Sequence, residues 1–244
     1  MLSENQHTTL KWILLASGCG LLLLLIWMWA SWVPYLDQMD KQLMVQLNFE
    51  GGSFADGFWF IFSQNKLAWT PFALAGIYSL YRYNNVEVRN KIFLILATAL
   101  LVTILDRVSS GLIKGWVARL RPSHTAEIMQ HLHYVNDYYG GQFGFVSSHA
   151  ANMVGLCTWL CLFLRDRFAR FTFIFFTVLM CYSRIYLGVH YPGDILCGAL
   201  LGFVVAYGMH HLYCRYLPVN FGEARPRPFL LAFYITFLAL AVAA

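Results

Sequence analysis

Charge is what this 244-residue chain has least of: Asp, Glu, Lys and Arg together make up 12% of it. A soluble domain carries about twice that share, ~25%. A water-facing surface cannot be built from so few charges, which points to an integral membrane protein. Long repeats, low-complexity tracts and polar linkers are also missing, so residues 1–244 read as a single membrane domain. Cysteine is scarce outside apolar runs: Cys19, Cys157, Cys161, Cys181 and Cys197 lie within them and Cys214 just past one. That placement excludes a disulfide framework. Cys157 and Cys161 are one helical turn apart, but no His or carboxylate accompanies them on that run. They read as small packing residues rather than a thiolate metal pair.

What is abundant is apolar: 59% hydrophobic residues, with 20 Phe, 14 Tyr and 8 Trp. The first run, Trp12–Val33, has twenty-two residues without a charge, enough to cross a hydrocarbon core of about 30 Å. A cleaved signal peptide is the rival reading. Its apolar region would be shorter and its start more basic than the lone Lys11, so an uncleaved anchor helix is favoured. Further runs follow at Leu67–Tyr81, Ile92–Ile113 (interrupted by Asp106 and Arg107), Ala150–Leu164, Phe171–Tyr182 and Ile195–Met209. These six are expected to be membrane helices. Phe229–Ala244 is a candidate seventh, a shallow helix or part of a longer tail. Phe58–Phe62 is too short to cross and is expected to be an interfacial piece leading into the second helix. The expected fold class is therefore all-α: a polytopic membrane helix bundle with six core transmembrane helices and a candidate seventh.

The loops set the orientation. Arg82, Arg89 and Lys91, then Arg165, Arg167 and Arg170, then Arg215, Arg225 and Arg227 recur on one side, whereas the first loop carries Asp37, Asp40, Glu50 and Asp56 against Lys41. Short Lys/Arg-rich loops stay in the cytoplasm, which places the N-terminus there too. The net charge of +5 reflects this topology and is no sign of nucleic-acid binding. Two polar segments then fall on the outer face: the long loop from Lys114 to His149, and the short connection "SRIYLGVHYPGD", residues 183–194.

Those segments hold unusual chemistry. Lys114, Arg121 and Arg184 would meet at the outer ends of the third and fifth runs. Clustered cations repel unless an anion sits among them, and an arginine fork matches phosphate. Interfacial snorkelling is the plain alternative for each of them, and is the reading given to Arg119. "VSSHAAN" opens the fourth helix: Ser147 or Ser148 could cap it, and its free N–H groups would seat an anion beside His149. Pro192 suits the first position of the sixth helix, with His190 just before it and Asp194 in its first turn. Asp194 could accept the Nδ1 proton of His190 and leave Nε2 as a nucleophile; a simple helix cap is the alternative. His149 could protonate a departing oxygen and then activate water. Lys114, Arg121, Arg184 and the helix N–H groups would neutralise the equatorial oxygens, with no metal or other cofactor required.

Taken together, Lys114 with Arg121-Pro122, Ser147-Ser148-His149, and Ser183-Arg184 with His190 and Asp194 resemble the three signature motifs of the type-2 phosphatidic acid phosphatase family, KxxxxxxRP, PSGH and SRxxxxxHxxxD. The resemblance covers roughly residues 35–212. It implies six membrane helices with the motifs at the outer ends of the third to sixth. It also implies a phosphohistidine mechanism acting on lipid phosphates or polyprenyl diphosphates. Val146 stands where the family usually has Pro, and Ser148 where it has Gly; a serine there would narrow the phosphate seat or add a donor.

The expected activity is thus hydrolysis of an amphiphilic phosphate at the periplasmic face of a bacterial inner membrane. Undecaprenyl diphosphate is slightly favoured over lipid A and phosphatidylglycerophosphate. The rivals are an exporter of an anionic lipid, a non-catalytic lipid-binding protein, and a vanadium haloperoxidase, a generally soluble class that the membrane content disfavours. Asp106 and Arg107 are open between function and interhelix pairing. His124, His131 and His133 read as solvated loop residues. Tyr134, Tyr138, Tyr139, Phe143 and Phe145 read as an aromatic interfacial rim, and His210 and His211 as interfacial.

Overall fold

The computed structural model describes residues 34–64 and 86–217 continuously, with parts of 13–25, 74, 78 and parts of 230–242. Its helices are α1 (Pro34–Leu47), α2 (Ser53–Gln64), α3 (Val88–Val117), α4 (Ser148–Phe163), α5 (Arg167–Tyr186) and α6 (Pro192–Tyr216). Three of them, α3, α5 and α6, are long and apolar enough to cross a membrane, with α3 reaching a mean hydropathy of 2.1; α4 is a shorter apolar helix. Their outward faces carry large apolar side chains such as Leu100, Phe171, Val178 and Leu196, with Trp116 69% exposed, as suits a surface solvated by lipid. Of the second run, Leu67–Tyr81, all but Leu74 and Tyr78 lie outside the described residues, as does half of the first run and half of the last. Leu22 of the first run shares the main core with α3–α6, and Phe237 of the last packs its ring on Phe62 and Phe176.

α3, α5 and α6 run past the apolar stretches that announce them at both ends, and α4 at its start, because caps and turns rather than hydropathy set the ends. Ser147 caps α4, accepting from Ala150 N–H, and Asp166 caps α5, accepting from Ala169 N–H at 2.9 Å. In α6, Pro192 takes the first turn and Asp194 accepts the Tyr191 N–H at 3.1 Å, which satisfies donors a helix start leaves open. The chemistry-bearing residues sit in these terminal turns. The segment expected to be a loop with a short interfacial piece is instead two helices, α1 and α2. Phe58–Phe62 is the second half of α2, whose twelve residues span only about 18 Å, too little to cross. The apolar periodicity of α1 was hidden because Asp40, one of its inward-facing residues, is charged.

The centre of the bundle is the crossing of α4 and α6, the most extensive helix contact. It depends on small residues that let backbones touch. A Cβ on Gly202 would lie 2.3 Å from Ala151 O and 2.7 Å from Gly155 N, and one on Gly198 would lie 2.5 Å from Ser147 O. Gly202→Ala therefore has no flexible side chain to displace. It is expected to lower stability by about 1–3 kcal/mol, the usual cost of overpacking, seen as a lower melting midpoint in detergent; an unchanged midpoint would mean that the crossing can open at no cost. Elsewhere, Trp159 Nε1 donates to Thr98 Oγ1 at 2.8 Å, pinning α4 to α3. Asn48, just past α1, donates to Tyr186 O at 2.7 Å and Ile185 O at 3.1 Å and accepts the His133 N–H. That one amide ties α1, the outer loop and the end of α5 together.

Candidate active site

The long loop between α3 and α4 folds back over the outer ends of the bundle. Ala118, at φ 50°, turns the chain out of α3 in the left-handed conformation common at helix ends. Residues 119–121 then run extended, paired with 142–144: Arg121 N–H donates to Gln142 O, Gly144 N–H donates to Arg119 O, and Leu120 bridges Phe143. Alternation along an extended segment puts residues two apart on the same face, so Arg119 and Arg121 both point inward. Gly144 makes the close approach possible; a Cβ there would sit 2.9 Å from Asp194 Oδ2.

Around this segment the structure gathers Lys114, Arg121, Arg184, Ser148 and His149, which line one cavity of about 490 Å³ together with Tyr138, Ser110, Asp106, Asn152 and apolar Val102, Met153 and Leu156. Arg184 is buried at the end of α5, where it donates to Ser63 Oγ of α2 and to Tyr138 Oη at 3.2 Å. Burial works against a charged phenolate, but Arg184, Gln64 and Arg121 together outweigh it and hold the Tyr138 hydroxyl below its usual range. Ser148 shares a hydrogen bond with Ser110 Oγ at 2.7 Å. Ser110 belongs to Arg107–Ile113, where α3 changes to a π-helix, a local widening frequent at functional sites. The two serines of the motif thus part: Ser148 faces the cavity, while Ser147 is fully buried as the cap of α4 and its N–H donates to Asp194 O at 3.0 Å.

His190 and Asp194 lie directly behind the cations. His190 is 1% exposed; its Nδ1 stands 3.4 Å from Asp194 Oδ2 and its Nε2 lies 2.9 Å from Arg121 Nη1. Arginine can only donate, so Nε2 accepts and the ring proton sits on Nδ1, toward Asp194. Burial first, then Arg121, Arg184, Lys114 and His149, hold the imidazole well below its ordinary pKa, hence neutral with its lone pair directed at the cationic pocket. Arg121 Nη1 also donates to Val189 O at 2.8 Å. An arriving anion would compete for that guanidinium and so uncover Nε2.

Arg119 departs most from expectation. Snorkelling is excluded: it is 1% exposed, and its guanidinium bridges Asp40 Oδ2 and Asp194 Oδ1, both at 2.8 Å, and Asp37 Oδ1 at 2.9 Å. Burial opposes its charge, but Asp194 and Asp40 outweigh it and raise its pKa. The one sequence signal was its spacing of two from Arg121. The aromatic rim is also redrawn: Phe145 is fully buried, Tyr138 serves Arg184, and only Tyr139 of the five is well exposed. His133 is no solvated loop histidine, since its Nε2 meets Asp56 Oδ1 at 2.8 Å and Tyr186 Oη donates to that same oxygen at 2.6 Å. Asp106 lines the cavity and Arg107 does not; no interhelix pairing joins either to a described residue. His210 packs against the Phe163 ring, with centroids 4.7 Å apart. None of the six cysteines is in a disulfide.

Residues 91–218 match the family model of the PAP2 superfamily. The chain is 31% identical over 181 residues to a lipid A 4'-phosphatase of Porphyromonas gingivalis, covering 74% of this chain and 75% of that one. It is 34% identical over 171 residues to a lipid A 4'-phosphatase of Bacteroides thetaiotaomicron, covering 70% and 75%. Its fold is similar to the crystal structure of a transmembrane PAP2-type phosphatidylglycerolphosphate phosphatase from Bacillus subtilis, with a TM-score of 0.61 at 17% identity over 84% of this chain and 98% of that one.

Proposed function

Since the chain belongs to the PAP2 superfamily and is a membrane lipid phosphatase, we propose that it removes a phosphate monoester from a lipid A-type glycolipid through a phosphohistidine at His190. The observation that carries the substrate reading is the grading of the cavity. Along α3 the lining runs from Lys114 through Ser110 and Asp106 to Val102, and along α4 from Ser148 and His149 through Asn152 to Met153 and Leu156, so it passes from cationic through polar to apolar with distance from the helix ends. Asp106 lies eight residues before Lys114 on α3, about 12 Å along the axis, and a carboxylate only accepts hydrogen bonds. Asn152 Oδ1 is enclosed without a donor. A lipid filling this space must therefore bring O–H or N–H groups a short distance from its phosphate. A hydroxylated, amide-linked glycolipid has them, whereas a polyprenyl chain has none beyond its diphosphate. The names of the two relatives support the same order, placing lipid A ahead of undecaprenyl diphosphate.

In this reading the bound phosphate offsets the charge of Lys114, Arg121 and Arg184 and lets His149 carry a proton; His190 Nε2 attacks phosphorus, the phosphorus–oxygen ester bond breaks, and His149 gives that proton to the leaving sugar oxygen. Asp194 steadies the Nδ1–H as positive charge develops on the ring. His149, now neutral, takes a proton from water, the resulting attack breaks the phosphorus–nitrogen bond, and inorganic phosphate leaves with His190 restored. Lys114, Arg121, Arg184 and the N–H groups opening α4 hold the equatorial oxygens. The basic loops on the opposite face support a site open to the periplasm.

The test is phosphate release in detergent with EDTA from lipid A, undecaprenyl diphosphate, phosphatidylglycerophosphate and phosphatidic acid, for wild type and Asp106→Ala. Lipid A is expected to give the highest kcat/KM. Asp106→Ala is expected to lower that value roughly 10- to 100-fold, the worth of a hydrogen bond to a charged group, and to spare undecaprenyl diphosphate. A preference for undecaprenyl diphosphate, untouched by the substitution, would refute the substrate assignment. Release from none of the four would favour lipid transport.

A further inference from the structure

We infer that Asp40 and Arg119 are positioning residues for the reaction, and that helix α1 is thereby a working part of the active site. The inference rests on the reading of His190 as nucleophile. It begins from Asp194, which has two oxygens and several tasks. Oδ2 accepts the Tyr191 N–H at 3.1 Å and faces His190 Nδ1 at 3.4 Å. Oδ1 accepts from Arg119 Nη1 at 2.8 Å. Without Arg119 the carboxylate could rotate about its side-chain bonds, and the imidazole it orients would turn with it.

Arg119 is in turn held from α1. Its Nη1 also donates to Asp40 Oδ2 at 2.8 Å and its Nη2 to Asp37 Oδ1 at 2.9 Å, while its guanidinium lies over the Tyr191 ring, 4.0 Å from the centroid. Asp40 has a second grip on the same turn: its Oδ1 accepts the Gly193 N–H at 2.8 Å. The first turn of α6 is thus fixed twice by one residue of α1, once at the backbone and once through Arg119. Asp37 is in turn paired with Lys41 at 2.8 Å, and Lys41 with Glu127 of the outer loop at 2.7 Å. None of these α1 residues, nor Arg119, lines the cavity. They act through Asp194 and not on the phosphate, so their loss should be felt in turnover rather than in binding.

A purely structural ion cluster would predict something else: less folded protein, with normal turnover in what remains. The experiment separates the two with Asp40→Asn and Arg119→Lys, both close in shape to the native residue. Neither can restore the native set of bonds: the amide weakens the bridge, and an ammonium cannot span the carboxylates as the planar fork does. Each is expected to lower kcat roughly 10- to 100-fold per folded molecule, as partners of orienting groups do at metal sites, with KM within about twofold of wild type. In an Asp194→Asn background the same substitutions should cost almost nothing further, since the carboxylate they steady is gone. Glu127→Gln, which removes only the exposed end of the chain of pairs, should leave kcat unchanged. Wild-type kcat in folded Asp40→Asn and Arg119→Lys, or losses that multiply in the Asp194→Asn background, would overturn the proposal. Turnover that survives His190→Ala would overturn the nucleophile assignment and this proposal with it.

Discussion

His190→Ala is expected to abolish phosphate release, lowering kcat by roughly 10⁴-fold or more, the scale on which enzymes lose activity when a nucleophile is removed. The imidazole is buried, with its Nδ1 facing Asp194 and its Nε2 facing the cations. Binding should survive, because Lys114, Arg121 and Arg184 still line the cavity and Arg121 keeps its bond to Val189 O. The check is paired: phosphate release from a radiolabelled substrate, and acid-labile, base-stable label on the protein after a rapid quench. Wild type should carry the label transiently and the variant not at all. Label that persists in the variant would place the nucleophile elsewhere. The depressed pKa of His190 adds a sign. In the proposed mechanism the neutral ring attacks, so lowering its pKa extends the reactive form toward acid. The acid limb of kcat/KM due to His190 is then expected well below 6.5, the ordinary histidine value, and a limb at or above it would count against a neutral buried nucleophile.

His149→Ala carries the second large effect and behaves differently. His149 stands in the first turn of α4 and lines the cavity with the three cations. Loss of a general acid and base costs roughly 10²–10⁴-fold, but the two tasks proposed for His149 can be separated by the leaving group. With a sugar alkoxide the first step needs a proton, and kcat should fall across that whole range. With a nitrophenolate the leaving group departs unaided. The first step should then remain fast while hydrolysis of the phosphohistidine, deprived of its base, becomes limiting. A burst of nitrophenol, equal in amount to the enzyme and followed by a slow steady state, is the expected trace. An equal loss for both leaving groups with no burst would mean that His149 only helps to bind the phosphate.

Much of this was legible without coordinates, for a definite reason. A membrane leaves few charged residues, so each intramembrane charge needs a partner or a task. Lys114, Arg121, Arg184, His149, His190 and Asp194 stood out against apolar runs, and their types and spacing already implied an anion site. Membership of the family was readable from the resemblance of three motifs to its signatures, and the helical membrane architecture from the apolar runs. The helix starts at Ser147 and Pro192 were local decisions of capping and φ restriction, which a few neighbouring residues determine.

What only the tertiary structure decided depends on residues far apart in the chain. Arg119 read as a snorkelling side chain because its carboxylate partners lie 75, 79 and 82 residues away, and no local pattern connects them. Asp40 lay in a segment too polar to register as a membrane run. The partners of Arg184, Ser63 and Tyr138, come from α2 and the outer loop, and the floor of the cavity forms only where α3 and α4 converge. The tautomer of His190 likewise required the position of Arg121. Burial of a charge depends on three-dimensional partners: the sequence by itself determined which charges this membrane protein keeps, and packing decided which of them line the cavity and which are paired behind it.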